Sequence, residues 1–314
     1  MNVIKAHVSI LAAEIFWGLS APVSKMVMNE GITGLQLVTF RIAGACLLFW
    51  LASLFVRHEK VIRADYLKLA GAGCLAVIIN QISFTVGLNL TSPVNAAIMT
   101  TTMPLLTMFL AFFILLEPIT WKKALGILMG ATGVILIILH SRDGNSEKAG
   151  NIWGDLLVIV AQLSFAFYLT LFKNFLPKYH GITIMKWMFT FGLAAALFTG
   201  LSFQQFQWSG HSTDFWAGIA FVVIGATFFS YLFVMAAQKA LRPTVVSIYN
   251  YIQPIVACLV SVALGLGVFG FVHAMAVLLV ISGVILVMKS KSRAQQLAEE
   301  EFKGCRSPQE KHYD

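Results

Sequence analysis

The chain has 314 residues, of which 58% are hydrophobic and only 11% charged, far below the roughly 25% charge of soluble domains. So few charges cannot cover a globule in water, so the chain is built for a lipid bilayer. Its formal charge of +8 then reports orientation and lipid contact before any anionic partner, and no nucleic-acid partner is expected.

A spanning helix needs about 20 mostly apolar residues. Ten such spans are predicted, near 6–28, 34–56, 66–88, 91–115, 120–139, 152–173, 182–203, 214–236, 243–265 and 269–288. The apolar segments continue to residue 288, so the first reads as a retained span and not as a cleaved signal peptide. Span one carries Glu14 about halfway in. A carboxylate there is costly unless protonated, paired or hydrated, which suits proton coupling or an amine ligand; the alternative is a neutral acid bonded between helices. Gly18, Ala21 and Lys25 share its face, and Gly18 and Ala21 leave that face open. Trp17, the one tryptophan in mid-span, is either an aromatic cavity wall or a packing residue. Arg41 lies about seven residues into span two, where snorkelling to the interface as a structural anchor is the favoured reading. Asn80 and Gln81 are adjacent in span three, so at most one faces a cavity fully.

Residues 69–116 hold no charge but are too long for one helix, and "NLTSPVN" (89–95) supplies turn chemistry between spans three and four. Span four offers Thr100, Thr101 and Pro104. Glu117 precedes Pro118 at the start of span five, where a helix N-terminus accounts for it. Beyond a predicted linker at 141–151, span six carries Gln162 and Tyr168, and Tyr231 falls in span eight. In span nine Ser247, Asn250, Tyr251, Pro254 and Cys258 follow i, i+3, i+4, i+7, i+11 and share one face. Pro104 and Pro254 each remove a backbone donor and free a carbonyl in the preceding turn. In lipid such a face must meet protein or a watered cavity, so it reads as a wall of a translocation path, or else as polar glue between helices. "GLGVFG" (265–270) turns the chain into span ten, and the tail 289–314 is polar and basic at its start.

With the N-terminus placed in the cytoplasm, 18 of the 22 basic residues fall on the cytoplasmic side. Only Lys25, Arg142 and Lys148 fall outside, and Arg41 within a span. This asymmetry predicts both termini inside the cell membrane, which requires an even number of spans. Trp50, Trp121, Trp153, Trp187, Trp208 and Trp216 fall near span ends, as an aromatic belt would place them.

The chain also repeats itself. "SPVNAAIMTTTMPLL" (92–106) aligns with "RPTVVSIYNYIQPIV" (242–256) at an offset of 150, matching Pro93 to Pro243 and Pro104 to Pro254. "GVIL" recurs at 133–136 and 283–286, and "AEIFWGLSAPVSK" (13–25) faces "AQLSFAFYLTLFK" (161–173) at 148, matching Lys25 to Lys173. Each unit, 1–140 and 152–288, therefore holds five spans, and an odd number inverts the second unit. The expected fold is an all-α integral membrane protein of ten transmembrane helices, two inverted five-helix repeats around a central cavity, as in secondary transporters. Lys25 and Lys173 then lie at opposite mouths, as anion attractors or interfacial snorkels.

The sequence resembles the EamA-type transporters of the drug/metabolite transporter superfamily. The resemblance rests on "FWGLSAPVSK", "TFRIAGACLL", the long "SPVNAAIMTTTMPLLTMFLAFFILLEPITWKKALGILMGATGVILI" and "WGDLLVIVAQLSFAFYLTLFK", and covers nearly everything to residue 288. It implies a ten-helix bundle with a central cavity and transport of small organic solutes, commonly export of amino acids or related metabolites. One departure stands out. The family often has a Gly-Glu pair after the fourth and ninth spans. Here Glu117 follows Leu116, and "GLGVFG" carries no acid.

No HExxH, P-loop, GxSxG or paired-cysteine motif is present, and the four cysteines have no metal-ligand spacing. No cofactor, metal or disulfide is expected, and the reading is a transporter and not an enzyme. Its expected partners are a small-molecule substrate, a proton as coupling ion, and membrane lipids; oligomeric state is not readable. A channel-like facilitator or lipid flippase of the same fold stays open, with a membrane-embedded enzyme behind both.

Overall fold

The computed structural model describes residues 2–91, 96, 99–140, 151–198, 206–263 and 271–291. The linker before Asn151, Pro93, the "GLGVFG" turn and the tail beyond Lys291 lie outside the described residues.

Helix α1 (Val3–Asn29) and α2 (Gly34–Ser53) form the first hairpin. Thr33 and Gln36 close a reciprocal capping box at the start of α2, satisfying two backbone donors that a helix start otherwise leaves open. Next come α3 (Asp65–Leu90), α4 (Met103–Leu115), α5 (Trp121–His140), α6 (Ile152–Leu171) and α7 (Gly181–Phe198). The chain continues through α8 (Thr213–Ala240), α9 (Pro243–Ile248), α10 (Ile252–Ala263) and α11 (Phe271–Met288). There is no strand among the described residues. Among the described residues five helices, α1, α2, α3, α6 and α8, are long and apolar enough to cross a membrane. Shorter apolar helices include α4 and most of α7 and α11.

Beside an apolar core, many large apolar side chains face outward and a set of polar ones is buried. Leu47, Phe55, Phe113 and Phe271 are exposed, while Glu14, Gln81, Gln162, Thr227 and Asn250 are buried. A surface so apolar is suited to lipid, where interior polar groups must satisfy one another. Trp50, Trp121, Trp153, Trp208 and Trp216 are exposed.

The helices predicted to correspond make corresponding contacts. The α1–α8 pair is matched by α6–α3, and α1–α10 by α6–α4. Helices α2 and α7 pack on each other, as do α5 and α11. The α5–α11 contact is close because Gly126 and Gly283 face each other: a Cβ on Gly126 would lie 2.7 Å from the Gly283 carbonyl oxygen. Small residues let backbones approach, which is how helices gain van der Waals contact in lipid.

Four departures from regular helix shape the centre. Residues Cys74–Ile79 of α3 and Phe221–Phe229 of α8 are π-helical. The fourth span breaks in a turn at Thr101–Thr102 ahead of Pro104, and the ninth tightens to a 3-10 turn at Tyr249–Tyr251 ahead of Pro254. Proline sits well only in the first turn of a helix, so each proline starts a new helical segment.

Candidate functional site

The π segments leave carbonyls that neighbouring helices satisfy. Leu75 O accepts from the Ser164 hydroxyl at 2.6 Å, and Ala76 O from the Tyr231 hydroxyl at 2.6 Å. Ala226 O accepts from the Trp17 indole N–H at 2.9 Å. In α8 itself the Thr227 and Ser230 hydroxyls donate back to Val222 O and Gly225 O. The broken spans do the same. Pro104 has no N–H to give Thr100 O, and Asn250 Nδ2 donates to that carbonyl at 3.0 Å. Tyr251 OH lies 3.3 Å from Thr101 O and 3.2 Å from Ile127 O.

These groups surround a cavity. Trp17 and Ser20 from α1, Arg41 from α2, and Asn80, Gln81 and Phe84 from α3 line it, with Thr100 and Met103 beside them. Gln162 and Phe165 of α6, Tyr231 of α8, Asn250 and Gln253 complete the wall. Five side-chain amides and four aromatic side chains dominate it. Trp17 packs edge-on against Phe165 and Tyr231, with ring centroids 5.7 and 5.9 Å apart. Asn80 Nδ2 donates to Ala161 O at 2.9 Å, joining α3 to α6.

Glu14 stands one hydrogen bond behind this wall. It is 1% exposed and accepts from Gln253 Nε2 at 2.7 Å. Gln253 Nε2 also lies 2.5 Å from Asn250 Oδ1. The result is a chain of contacts from Glu14 through Gln253 and Asn250 to Thr100 O. Glu14 has no ion-pair partner among the described residues. Gly18, one turn beyond Glu14, is where α1 meets α10: a Cβ there would lie 2.9 Å from Gln253 O. Gly18 therefore sets helix approach and does not leave an open face.

Of the residues singled out in the sequence, Trp17, Asn80, Thr100, Gln162 and Asn250 line the cavity together. Thr101, Pro104, Ser247 and Tyr251 are buried outside its wall, and Pro254 is half-buried behind it. Ser247 turns its hydroxyl to Thr244 O at 3.1 Å. Tyr251 fills the space above Gly130 of α5. Tyr168 is buried against Phe165, its hydroxyl without a protein partner among the described residues. The expected shared face of span nine is divided: Asn250 lines the cavity, whereas Tyr251 packs over Gly130. The side chain of Cys258 lies outside the described residues.

Two wall residues were read differently from the sequence. Arg41 is 7% exposed and lines the cavity, so it is not an interfacial snorkel. Seven residues into a helix is about 10 Å along its axis, a depth at which an inward direction was the better reading. Gln253 was not singled out, although its i+3 spacing from Asn250 was the available signal. Lys25 and Lys173 are neither free mouths nor snorkels. Lys25 donates to Leu88 O at 3.3 Å, and Lys173 to Gln238 O and, at 2.6 Å, to Leu241 O. Each covers carbonyls at the C-terminal end of the helix it meets, α3 or α8. Glu117 does more than favour a helix start: it pairs with Lys123 at 2.9 Å and accepts from Thr244 Oγ1 at 2.8 Å.

The profile described as the EamA-like transporter family matches residues 4–139 and again 152–289. The chain belongs to the EamA-like transporter family. It is a multi-pass membrane protein, and the family is one of transporters. The uncharacterized transporter YetK of Bacillus subtilis is 26% identical over 299 residues, covering 94% of this chain and 91% of YetK. The uncharacterized transporter YyaM of the same organism is 24% identical over 302 residues, covering 94% and 99%. The S-adenosylmethionine uptake transporter of Rickettsia prowazekii is 24% identical over 188 residues, 60% of each chain. A solved crystal structure matches this EamA-like chain with a TM-score of 0.72 and 17% identity, covering 90% of this chain and 95% of that one. That last likeness is one of fold.

Proposed function

We propose that this EamA-like chain is a secondary transporter that exports small organic metabolites, amino acids or related compounds, by proton-coupled alternating access. The observation that carries the reading is the central cavity, whose wall draws residues from both matched segments. Two five-helix units of opposite direction, rocking about this shared wall, would open it alternately to each side. The excess of basic residues puts both termini in the cytoplasm under this reading.

Glu14 is the proposed proton carrier. It is buried, has no cation beside it among the described residues, and is linked to the wall through the Gln253 amide. A proton arriving or leaving there changes what Gln253 can offer the cavity, which couples the charge state of Glu14 to solute binding. Trp17, Asn80, Thr100, Gln162 and Asn250 are the proposed solute contacts. Direction has a second reading, uptake, favoured by the name of the Rickettsia relative.

The test compares extracellular metabolites from cells carrying empty vector, the wild-type chain or Glu14→Gln at matched membrane levels. The expected result is one class of small metabolite accumulating outside only with wild type. Glu14→Gln should abolish pH-driven concentration while the protein remains in the membrane. Unchanged uphill transport by that variant would remove Glu14 from the mechanism. Accumulation inside the wild-type cells would reverse the direction.

A further inference from the structure

We propose that Arg41 is an anion clamp in the cavity wall, and that the solute bound there is a monocarboxylate carrying its own N–H or O–H donor. This rests on the transporter reading only for the word solute; the binding site is argued from the wall itself.

Arg41 is a buried cation with no carboxylate beside it among the described residues. Its Nε donates to Thr227 Oγ1 at 3.1 Å, and that hydroxyl is held in turn by Val222 O at 2.8 Å. Among the described residues Arg41 has no other hydrogen bond and no carboxylate partner. A guanidinium offers five N–H donors. One is used to fix the plane of the group, so the Nη donors remain for something else. An unpaired charge in the span region is costly, and such residues ordinarily pair with one another or face a substrate path. Arg41 faces the cavity. The planar fork of a guanidinium fits a carboxylate through two parallel hydrogen bonds.

The rest of the wall narrows the class. Arg41 is the one charged side chain among the lining residues, so a single negative charge balances it. A phosphate dianion would call for a second cation. Gln81 supplies the complementary group. The Tyr231 hydroxyl gives its one proton to Ala76 O, so it must accept from Gln81 Nε2 at 3.2 Å. That fixes the amide, and leaves Gln81 Oε1 buried with no protein partner among the described residues. Gln81 is 2% exposed. A buried acceptor without a donor is costly, and a donor on the solute would satisfy it.

The experiment uses the purified full chain in detergent, with thermal unfolding followed by tryptophan fluorescence. The probes are N-acetylglycinate, its neutral counterpart N-acetylglycinamide, inorganic phosphate and chloride, in tens of millimolar at matched ionic strength. The expected result for wild type is a rise of a few degrees with N-acetylglycinate over the amide and both inorganic anions. A ligand that binds only the folded state must raise its stability. Arg41→Gln should lose the acid-over-amide difference, and Arg41→Lys should keep only part of it. Equal responses to acid and amide in wild type overturn the clamp without any variant, which covers the case in which Arg41→Gln does not fold. A difference that persists in Arg41→Gln also overturns it. A larger rise with phosphate overturns the monocarboxylate assignment. Counterflow in proteoliposomes separates the two readings. Flux without an acid preference removes the clamp and keeps the transporter; an acid preference without flux for any solute does the reverse.

Discussion

Asn250 and Pro104 act together although they lie far apart in the chain. The proline withholds the N–H that Thr100 O would take in a regular helix, and the Asn250 amide supplies a replacement at 3.0 Å. Asn250→Ala should remove this hydrogen bond between the ninth and fourth spans, at a cost of about 0.5–1.5 kcal/mol, visible as a lower melting temperature in detergent. Because Asn250 also lines the cavity, the same variant should weaken transport more than the stability loss explains. Tyr251 behaves differently. Its hydroxyl serves Thr101 O and Ile127 O, and its ring sits where any side chain on Gly130 would collide. Tyr251→Phe should lower stability and leave the solute profile unchanged; an altered profile would return Tyr251 to the path. Sequence periodicity could place Asn250 because a polar residue on an apolar helix needs a partner. It could not separate Asn250 from Tyr251, since which of two neighbouring polar residues reaches the cavity depends on what packs against each, and Tyr251 meets Gly130 of α5. Arg41 was visible as a charge in a span, but its direction depended on which helix met it.

Helix extent was largely legible because a bilayer imposes its own ruler. The apolar runs, ended by basic residues and tryptophans, predicted α1, α3, α6 and α8 to within a few residues of their observed bounds. The π segments at Cys74–Ile79 and Phe221–Phe229 were not legible. No residue type marks them, and they exist because donors from α1, α6 and α8 satisfy the displaced carbonyls. The α4–α5 junction shows a related trade. Leu116 turns the chain in the left-handed region at φ 54°, and Lys123 enters the first turn of α5, where a cation opposes the helix dipole. Glu117 offsets that charge, with Lys123 1% and Glu117 6% exposed. Glu117→Gln leaves a buried lysine uncompensated and should cost about 3–5 kcal/mol. The double variant Glu117→Gln, Lys123→Met should recover much of the loss, because both charges then leave the interior. Equal melting temperatures for the single and double variants would mean that the pair contributes little.

On the scale of the whole molecule, alternating access needs ties between the two matched segments that can be broken separately at each end of the bundle. Two candidates stand at opposite ends of α2, a helix of 20 residues, or about 30 Å. At one end Glu30 accepts from the Ser212 hydroxyl at 2.5 Å and from the Ser212 N–H at 3.1 Å, with His211 Nδ1 3.8 Å away. At the other, Asp65 meets Lys178 and accepts from Tyr179 OH at 2.6 Å, while Glu59 accepts from the His180 N–H at 2.8 Å. The Ser212 hydrogen bonds hold the Glu30 carboxyl below its ordinary range. A depressed carboxylate contributes its tie fully above the unfolded value and loses it as pH falls through the lower, folded one. The Glu30 end should therefore stay tied at neutral pH and loosen only in acid below the usual carboxylate range. Glu30→Ala should loosen it at neutral pH, and Asp65→Asn should loosen the opposite end. The readout is a single cysteine at Ser20, in the cavity wall, in a background without the four native cysteines. Membrane-impermeant thiol reagents are added from one side or the other. Glu30→Ala should speed labelling from one side and slow it from the other, with Asp65→Asn reversing the pattern. Faster labelling from the same side in both variants would mean that the two ends do not open in alternation, and the bundle would then have to conduct as a facilitator with one persistent opening.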